Sequence, residues 1–352
     1  MRKRKIISLL IGASLVLSLT GCSSKSNTNE KSQSKELEKN LVIYSTHPED
    51  LLESVAKDFE KETGVNVEFI NLKGQLAEKV EAEKNDPQAD VMYGGSSATY
   101  LELENKDVFE KTQPSWAKDL DPLFKSKDGL SYGTIQTPVM MFYNSEMLSK
   151  DQAPKDWSDL ANERFKDKLV FRNAGSSSAK ATYSSLLYQY DKVGKLDEGW
   201  KYMKDLDKNT KKYYESGSLQ FQAIGRKEAA VSFAVLSSII ENKNNGLPLE
   251  IVNAESGSPV ITDGVAKIKN CKNPNAANAF IEYVGSVKTQ AKLANEFDRM
   301  PTLKAAIEKS PKWMQDANYK VMDVDWSVIA KNQGAWMQKW DLEIKDSNKE
   351  VK

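Results

Sequence analysis

LVIYSTHPED, residues 41–50, passes from an apolar strand through a polar turn to the start of a helix. The run Leu41–Tyr44 predicts a strand, and Ser45 or Thr46 is the predicted cap of a helix that reaches about Thr63. A strand, a tight turn and a helix in this order direct free backbone N–H groups at the space above the strand. The turn is therefore either part of a ligand-binding site or an ordinary capped junction.

Similar junctions follow further along the chain. The predicted strand Ala89–Gly95 runs into a helix that begins at Ser96, and the predicted strand Leu169–Asn173 runs into a helix that opens at Gly175–Ser178. Successive strand–helix units predict a parallel sheet covered by helices, and ligands bind at the carboxyl ends of the strands in such sheets. A fourth turn, Ser216–Ser218, precedes another predicted helix.

The candidate ligand-binding residues belong to these four serine- and glycine-rich turns. Helix N-termini and hydroxyl groups suit a phosphate, a phosphonate or a carboxylate, so such a site does not require lysine or arginine. The alternative is that the serines only cap helices. The residues predicted to bind the ligand are Ser45, Thr46, His47, Gly95, Ser96, Ser97, Ser176, Ser177, Ser178, Ser216, Gly217 and Ser218.

Residues 1–22 have the pattern of a secretion signal rather than of a folded domain. A basic start, MRKRK, precedes an apolar run, and LTGC (Leu19–Cys22) resembles the lipobox of bacterial lipoproteins. The resemblance implies cleavage before Cys22 and lipidation of its thiol. The alternative is a plain N-terminal membrane anchor, for which the apolar run is short. Residues 23–40 are polar and predict a flexible tether to the membrane.

The composition argues against several classes of function. The 50 Lys and Arg residues balance the 50 Asp and Glu residues, which argues against nucleic acid as a partner. Once Cys22 is acylated, Cys271 is the only free cysteine, so we expect neither an intramolecular disulfide nor a cysteine zinc site. A serine hydrolase, the rival class, would have to use His47, the only histidine. The chain has no GxSxG motif, so we expect no enzyme activity and no cofactor.

Four tryptophans, Trp313, Trp326, Trp336 and Trp340, mark the C-terminal part of the chain. Such a pattern indicates packing against the body of the protein. The alternative is a platform on which a sugar ring stacks.

The chain from about Leu41 to Thr302 resembles the extracellular solute-binding proteins of ABC importers, in the branch that includes ferric-ion, 2-aminoethylphosphonate and hexose-phosphate binders. The resemblance rests on the order and spacing of LVIYSTHPED, AKDFEKETGVNVEFI, KGQLAEKVEAEKNDPQADVMYGG, PVMMFYN, SSSAKAT, YYESGS, EAAVSFA, ITDGVAKIKN and PNAANAFIEYV. It implies an α/β, two-lobed, periplasmic-binding-protein-like (type II) fold with β-strand hinges near Gln136–Tyr143 and Ile251–Val260.

The resemblance also implies how the chain divides. Residues 41–135 and 256–300 would form the first lobe, and residues 136–255 and 301–352 would form the second. The ligand would be clamped between the two lobes.

The ligand cannot be carried over from any one relative. Ferric-ion members carry two adjacent tyrosines just after the strand that corresponds to AAVSFAV, where this chain has Ala234, Val235 and Leu236. The pair Tyr213-Tyr214 lies earlier in the sequence, and the His-Asp pair of hexose-phosphate relatives is missing. Ferric ion, which needs hard anionic oxygen donors, is therefore the second candidate, behind a small organic anion.

The sequence thus predicts a substrate-binding lipoprotein that captures a phosphonate- or sugar-phosphate-like anion and delivers it to the ABC permease in the membrane. We expect a monomer without a bound metal or a nucleic-acid partner, located outside the cytoplasm and anchored to the cell membrane through the lipid on Cys22. The alternative from another class is a non-transport surface lipoprotein, a sensor or an adhesin.

Overall fold

The computed structural model of the protein describes residues 36–72 and 75–351. The predicted signal peptide, the predicted lipidation site Cys22 and most of the predicted tether lie outside these residues. Strands and helices alternate along the described chain. Within the described ranges, no helix is both long enough and apolar enough to cross a bilayer.

The strands are β1 (Asn40–Ser45), β2 (Asn66–Asn71), β3 (Val91–Ser96), β4 (Phe109–Glu110), β5 (Tyr132–Asn144), β6 (Leu169–Arg172), β7 (Thr210–Tyr214), β8 (Val231–Val235), β9 (Leu249–Val252), β10 (Val260–Ile268) and β11 (Glu350–Val351). The α-helices are α1 (Glu49–Thr63), α2 (Leu76–Ala82), α3 (Ser97–Asn105), α4 (Ser177–Asp191), α5 (Leu196–Asn209), α6 (Gly217–Gly225), α7 (Leu236–Asn244), α8 (Pro274–Gly285), α9 (Val287–Phe297), α10 (Lys304–Ile307), α11 (Lys312–Gln315) and α12 (Trp326–Lys339).

The strands of the described chain form one continuous sheet in the order β11-β7-β6-β8-β5-β10-β3-β1-β2, with β4 paired to β10 and β9 to β5. The two flanks contain the parallel pairs that the strand–helix alternation predicts. β1 pairs with β2 and β3, and β6 pairs with β7 and β8. The centre is antiparallel, because β5 and β10 run in opposite directions.

β5 belongs to both halves of the sheet. Its first part, Tyr132–Pro138, pairs with β10, and its second part, Val139–Asn144, pairs with β8 and β9. Ile135 packs in one hydrophobic core and Met141 in another. We call the elements around the core of Ile135 the first lobe and the elements on the Met141 side the second lobe.

The cores of the two lobes differ in construction. The first lobe has one cluster, drawn from residues 41–135 and 265–306. The second lobe has two clusters, because alternate side chains of a strand point to opposite faces of a sheet. One of the two also includes Ala294 and Met300, from α9 and the loop that follows it. Met141 and Phe171 pack in one of these clusters, and Phe142 and Val170 pack in the other.

The structure moves one predicted boundary. The sequence predicted residues 301–352 in the second lobe, but Leu303 and Ala306 pack in the first core. The amide oxygen of Gln290 in α9 accepts hydrogen bonds from the backbone N–H groups of Thr302 and Leu303, at 2.9 and 3.1 Å. This contact turns the chain back onto α9, so the first lobe extends through α10.

α1 has the bounds that the sequence predicts, but its cap is different. Its N-cap residue is Pro48, and no side chain caps the helix. Ser45 Oγ instead accepts a hydrogen bond from the backbone N–H of His47 at 3.0 Å. The prediction of a cap at Ser45 or Thr46 is therefore wrong, because the hydroxyl of Ser45 stabilises the turn itself.

The folded chain begins earlier than the predicted tether allows. Asn40 is already in β1, and Leu37 packs against the first core. The carboxylate of Glu38 accepts a hydrogen bond from the backbone N–H of Ala276 at 2.7 Å, in the first turn of α8. An acidic side chain at a helix N-terminus is stabilised by the helix dipole. Residues 36–40 are therefore part of the fold, and the prediction of a tether as far as residue 40 is wrong.

Most of the C-terminal tryptophans pack against the body, as the first interpretation of their pattern expects. Trp340 is fully buried and Trp336 is 6% exposed, both in the second lobe. Trp326 is partly buried and packs against the same core. Trp313 is also partly buried and packs against the other cluster of the second lobe, and it lines a cleft between the lobes.

α8 ends at Gly285, and α9 begins two residues later. A Cβ atom at Gly285 would overlap the indole ring of Trp116, whose Nε1 donates a hydrogen bond to the carbonyl oxygen of Ile281 at 3.1 Å. The first lobe therefore depends on glycine at this position for the packing of α8.

We predict that Gly285→Ala lowers the free energy of unfolding by about 1–3 kcal/mol, because Trp116 must move to admit the methyl group. Gly334→Ala is the matched control, since Gly334 lies in α12 with no atom within 4 Å of an added Cβ. The control is expected to be neutral or to raise stability by up to about 1 kcal/mol. Urea denaturation of both variants measures the difference. Equal stabilities would contradict the packing described here.

Candidate functional site

A cleft of about 430 Å³ lies where β5 and β10 pass between the two lobes. Residues of both lobes and of the two connecting strands line it. They are Ile135, Gln136, Thr137, Pro138, Arg172, Ser176, Ser177, Ser178, Val235, Leu236, Ser237, Ile261, Asp263, Asp298, Arg299, Met300 and Trp313. A volume of this size suits a small organic molecule.

The N-terminus of α4 opens into the cleft with its hydroxyl-rich turn. Ser176 is the N-cap residue, yet its side chain accepts no hydrogen bond from a backbone N–H of the helix and instead shares a hydrogen bond with Ser178 Oγ at 3.1 Å. The first turn of α4 contains no acidic residue. The partial positive charge of this helix end is therefore not offset by a side chain of its own first turn.

Arg172 ends β6 directly beside this turn. Its Nη2 donates a hydrogen bond to the carbonyl oxygen of Glu215 at 2.7 Å, and Tyr183 donates to its carbonyl oxygen at 3.1 Å. Its Nε is buried and has no hydrogen-bond partner among the described residues. Partial burial lowers the pKa of Arg172, but a guanidinium remains charged at neutral pH. The second lobe thus brings a fixed cation with an unused donor to the cleft.

Arg299 brings a second cation, on the loop that follows α9. Gln136 of β5 holds this loop: its N–H donates to the carbonyl oxygen of Met300 at 2.9 Å, and its Nε2 donates to that of Pro301 at 2.7 Å. The hydroxyl of Tyr319 donates to Gln136 Oε1 at 2.8 Å. The Nε of Arg299 is buried without a hydrogen-bond partner in the described chain. Hydrogen bonds from the hinge strand therefore position this arginine.

The first two predicted turns lie side by side, as the parallel sheet requires. Ser45 and Tyr93 are register partners in β1 and β3. A Cβ atom at Gly94 would lie 2.8 Å from Thr46 Oγ1 and 3.2 Å from His47 Nε2. Gly94 also has a φ of 93°, which favours glycine. The close packing of the two turns is possible because this position has no side chain.

Several polar groups of these two turns are already used within the protein. Ser45 is fully buried. Ser96 Oγ accepts from the backbone N–H of Thr99 at 3.4 Å as the N-cap of α3. Ser97 Oγ donates to the carbonyl oxygen of Thr262 at 3.4 Å and lines a smaller cavity of about 70 Å³. Neither turn contributes a residue to the main cleft.

His47 lies in the first lobe near Arg299. Its side chain is 4% exposed, its ring contacts that of Tyr93 at a centroid distance of 4.5 Å, and its Nε2 has no hydrogen-bond partner among the described residues. Burial, and secondly the charge of Arg299, lower the pKa of His47 to about 3. The imidazole is therefore neutral at physiological pH.

The fourth predicted turn lies next to Arg172 and outside the main cleft. Ser216 Oγ accepts from the backbone N–H of Leu219 at 3.1 Å and so caps α6. Gly217 lies close to the guanidinium, since a Cβ atom added there would be 3.5 Å from Arg172 Nη1. Of the predicted binding residues, only Ser176–Ser178 line the main cleft.

The tyrosine pair near this turn is engaged elsewhere. Tyr213 is fully buried and donates to Asp207 Oδ1 at 2.9 Å, and Tyr214 donates to Glu228 Oε2 at 3.2 Å. Neither tyrosine lines the cleft. Among the described residues, no group of three or more His, Cys, Asp and Glu side chains is arranged to hold a metal ion.

Sequence reasoning missed the charged residues of the cleft: Arg172, Asp263 and Arg299. The expectation that the site needs no arginine directed attention away from them. Arginine is scarce in this chain, which has only six, and two of the six line this cleft. The sequence offered one signal, because Arg172 is the last residue but one of the predicted strand Leu169–Asn173, just before a predicted binding turn. Asp263 and Arg299 gave no comparable signal, since antiparallel pairing and a loop bring them to the site.

Comparison with known proteins gives consistent results. The family described as bacterial extracellular solute-binding protein matches residues 54–321. A probable ABC transporter periplasmic-binding protein, y4fP, of Sinorhizobium fredii is 29% identical over 298 residues, which are 81% of each chain. An Fe(3+)-binding periplasmic protein of Serratia marcescens is 24% identical over 260 residues, which are 72% of this chain and 75% of that protein.

A solved structure shows the same architecture. The periplasmic binding protein AfuA of Actinobacillus pleuropneumoniae, with fructose-6-phosphate bound, is 26% identical with a TM-score of 0.68 and covers 87% of this chain and 99% of its own. The predicted α/β, two-lobed fold is confirmed by this likeness together with the sheet described above.

The buried imidazole predicts how stability depends on pH. In the unfolded chain His47 binds a proton near pH 6.5, but in the folded chain its pKa is about 3, so acid favours unfolding. The stability that depends on neutral His47 is present above about pH 6.5 and is lost as the pH falls towards 3. Between pH 7 and pH 5 the loss is about 2 kcal/mol.

His47→Gln removes this titration and should flatten the pH dependence of the free energy of unfolding by that amount. Urea denaturation at pH 7, 6 and 5 measures the dependence for both proteins. All other titrating groups are common to the two proteins, so the difference in slope isolates His47. Parallel pH profiles would show that the imidazole is accessible to protons in the folded state.

Proposed function

Because this chain belongs to the family of bacterial extracellular solute-binding proteins, we propose that it captures a small organic anion between its two lobes. The chain is a substrate-binding protein of an ABC importer, and its cargo passes to a membrane permease. The proposed cargo carries a phosphonate, phosphate or carboxylate head. The proposed lobes are those defined by the cores, with β5 and β10 as the hinge.

One observation carries the proposal: two guanidinium groups and a helix N-terminus converge on one cleft. Arg172 comes from the second lobe and Arg299 from the loop after α9, and each has a buried Nε without a hydrogen-bond partner in the described chain. The turn Ser176–Ser178 adds the open N-terminus of α4. A buried donor without a partner is costly, and an anion that accepts from these groups offsets that cost.

The same contacts support binding rather than catalysis. Ser45 Oγ accepts from the backbone N–H of His47, and His47 Nε2 has no hydrogen-bond partner among the described residues. A serine nucleophile requires a hydrogen bond from its hydroxyl to the imidazole of its base. We therefore propose no enzymatic role for this pair.

Some sequence-predicted binding residues have a smaller part in the proposed site. Ser176–Ser178 keep the role of direct ligands. Ser45–His47 and Gly95–Ser97 support the first-lobe wall, because their polar groups are largely engaged within the protein. Ser216–Ser218 support Arg172 indirectly, because the guanidinium donates to the carbonyl oxygen of Glu215, the residue directly before this turn.

Ferric ion is the second candidate, because the Serratia marcescens relative is an Fe(3+)-binding protein. In the protein described here, neither Tyr213 nor Tyr214 lines the cleft, and each hydroxyl donates to a carboxylate elsewhere. The cleft presents guanidinium groups, which favour anions over cations. These contacts rank an organic anion first.

We predict that Arg172→Gln and Arg299→Gln each weaken binding of an organic phosphate or phosphonate by roughly ten- to a hundredfold, because each removes a charge-assisted hydrogen bond of about 1.5–3 kcal/mol. Fructose 6-phosphate and free fructose form a matched pair of probes that differ in the anionic head. Isothermal titration of the intact mature protein measures both.

Arg226→Gln is the matched control, since Arg226 is exposed and lies outside the cleft. It should bind like the parent. Anion binding that survives both cleft substitutions would place the site elsewhere. A visible tyrosinate-to-iron absorption band on titration with ferric citrate, without any binding of organic anions, would move iron to first place.

We also propose that the mature protein is a monomeric lipoprotein held at the outer side of the cell membrane through Cys22. The motif LTGC after an apolar run supports this proposal. Cys22→Ala should abolish incorporation of labelled palmitate and release the protein from the membrane fraction. Cys271→Ala, which removes the other cysteine, should keep both the label and the location. Continued labelling of Cys22→Ala would refute the lipid anchor.

A further inference from the structure

The cleft contains a carboxylate that has no hydrogen-bond or ion-pair partner among the described residues. Asp263 of β10 lines the cleft and is partly buried. Its side chain makes no hydrogen bond or ion pair with any other described residue, although Arg299 lines the same cleft. A carboxylate in such a place is costly unless a cation or several hydrogen-bond donors compensate it.

The sheet is locally distorted on both sides of Asp263. Between Asp263 and Val265, β10 advances two residues while β3 advances three, from Ser96 to Tyr93. The extra residue falls at Gly94 and Gly95, which both have a φ of 93°. Such bulges re-aim side chains and are frequent beside binding sites.

The other neighbour of β10 has a second irregularity at the same place. Asp263 pairs with Ile135 of β5, but the next residue, Gly264, pairs with Gly133, so Thr134 is extra. The hydroxyl of Tyr100 lies 2.6 Å from the carbonyl oxygen of Gly264. Asp263 therefore lies where the pairing of β10 with both neighbouring strands is irregular.

The charges of the cleft are balanced rather than positive. Its ionisable lining residues are two arginines, Arg172 and Arg299, and two aspartates, Asp263 and the exposed Asp298. Nearby His47 adds no cation, because its pKa is lowered to about 3. A cargo with only negative charge would satisfy the arginines and leave the carboxylate of Asp263 beside an anion.

The pKa of Asp263 agrees with a carboxylate whose negative charge is only partly compensated. Burial raises its pKa to about 6, although the charge of Arg299 acts in the opposite direction. The group is therefore mostly ionised at neutral pH, and its charge is not fully compensated. An ammonium group compensates a carboxylate better than a hydroxyl does, because it brings charge as well as donors.

The remaining walls limit the size of the cargo. Apolar side chains on both lobes and on the hinge face the cleft between the charged groups, including those of Pro138, Leu236, Ile261 and Trp313. These walls suit a short carbon chain between two charged ends.

We propose that the cargo is a small zwitterion whose ammonium group binds Asp263 while its anionic head binds Arg172, Arg299 and the N-terminus of α4. This inference rests on the proposed function, since it assigns the cargo class of the same cleft. It adds a specificity-determining residue, because Asp263 distinguishes amino-substituted anions from plain ones.

Two matched pairs of probes test the inference. 2-Aminoethylphosphonate is compared with propylphosphonate, and phosphoethanolamine with n-propyl phosphate, so that within each pair a methyl group replaces the ammonium. Isothermal titration of the intact mature protein should give at least tenfold tighter binding of the amine in at least one pair. Asp263→Asn should remove this preference by weakening the amine tenfold or more and leaving its methyl partner within about threefold. Asp151→Asn, an exposed carboxylate outside the cleft, is the control for the change in net charge and should keep the preference.

Each other result identifies what fails. Equal binding of amine and methyl partners by the parent protein would overturn the role of Asp263, and this comparison requires no variant. Equal weakening of both partners by Asp263→Asn would show that the residue only supports the cleft. Tight binding of fructose 6-phosphate, with no binding of either pair of probes, would refute the ammonium group of the cargo and would still agree with the proposed function. Absence of binding for every organic anion would refute the proposed function itself.

Discussion

The hydrogen-bond ladder along β5 is the constraint on which the rest of the structure depends. One half of the strand is bonded to β10 in the first lobe, and the other half to β8 and β9 in the second. Because successive parts of one strand are bonded to different lobes, the lobes follow each other along β5, and the cleft lies close to the point where the pairing changes. Gln136 stands at this place and uses its amide to hold the loop of Arg299. The strand that the two lobes share and the loop that carries the Arg299 guanidinium are thus parts of one hydrogen-bonded unit.

The sequence predicted the parts of this fold that follow from local pattern. Strand–helix alternation gave β1, α1, β3 and β6 nearly to the residue, since apolar periodicity and glycine-rich turns are local features. The antiparallel insertion of β10 between β5 and β3 joins residues that are far apart in the chain. The family resemblance assigned residues 256–300 to the first lobe, but it did not predict this pairing.

The candidate site was predicted less well, for a physical reason. A serine before a helix has the same sequence pattern whether its hydroxyl caps the helix or faces a ligand. Ser96 and Ser216 cap helices, whereas Ser176 does not. The residues with unsatisfied charge, Arg299 and Asp263, are identified only when the burial and the partners of each polar atom are known. The equal numbers of acidic and basic residues in the whole chain also gave no sign of where the charged side chains of the cleft lie, because the cleft itself contains both arginines and aspartates.

The position of the only histidine has a practical consequence. An imidazole that is nearly inaccessible to solvent, packed edge-on against the ring of Tyr93, has carbon-bound protons shifted by the ring current of its neighbour. In a protein with one histidine these protons form a single, unambiguous spin system in a magnetic resonance spectrum. Since Arg299 acts electrostatically on the same ring, neutralising that guanidinium would perturb the resonance. The native chain therefore carries a spectroscopic probe of the charge on Arg299 that requires no attached label.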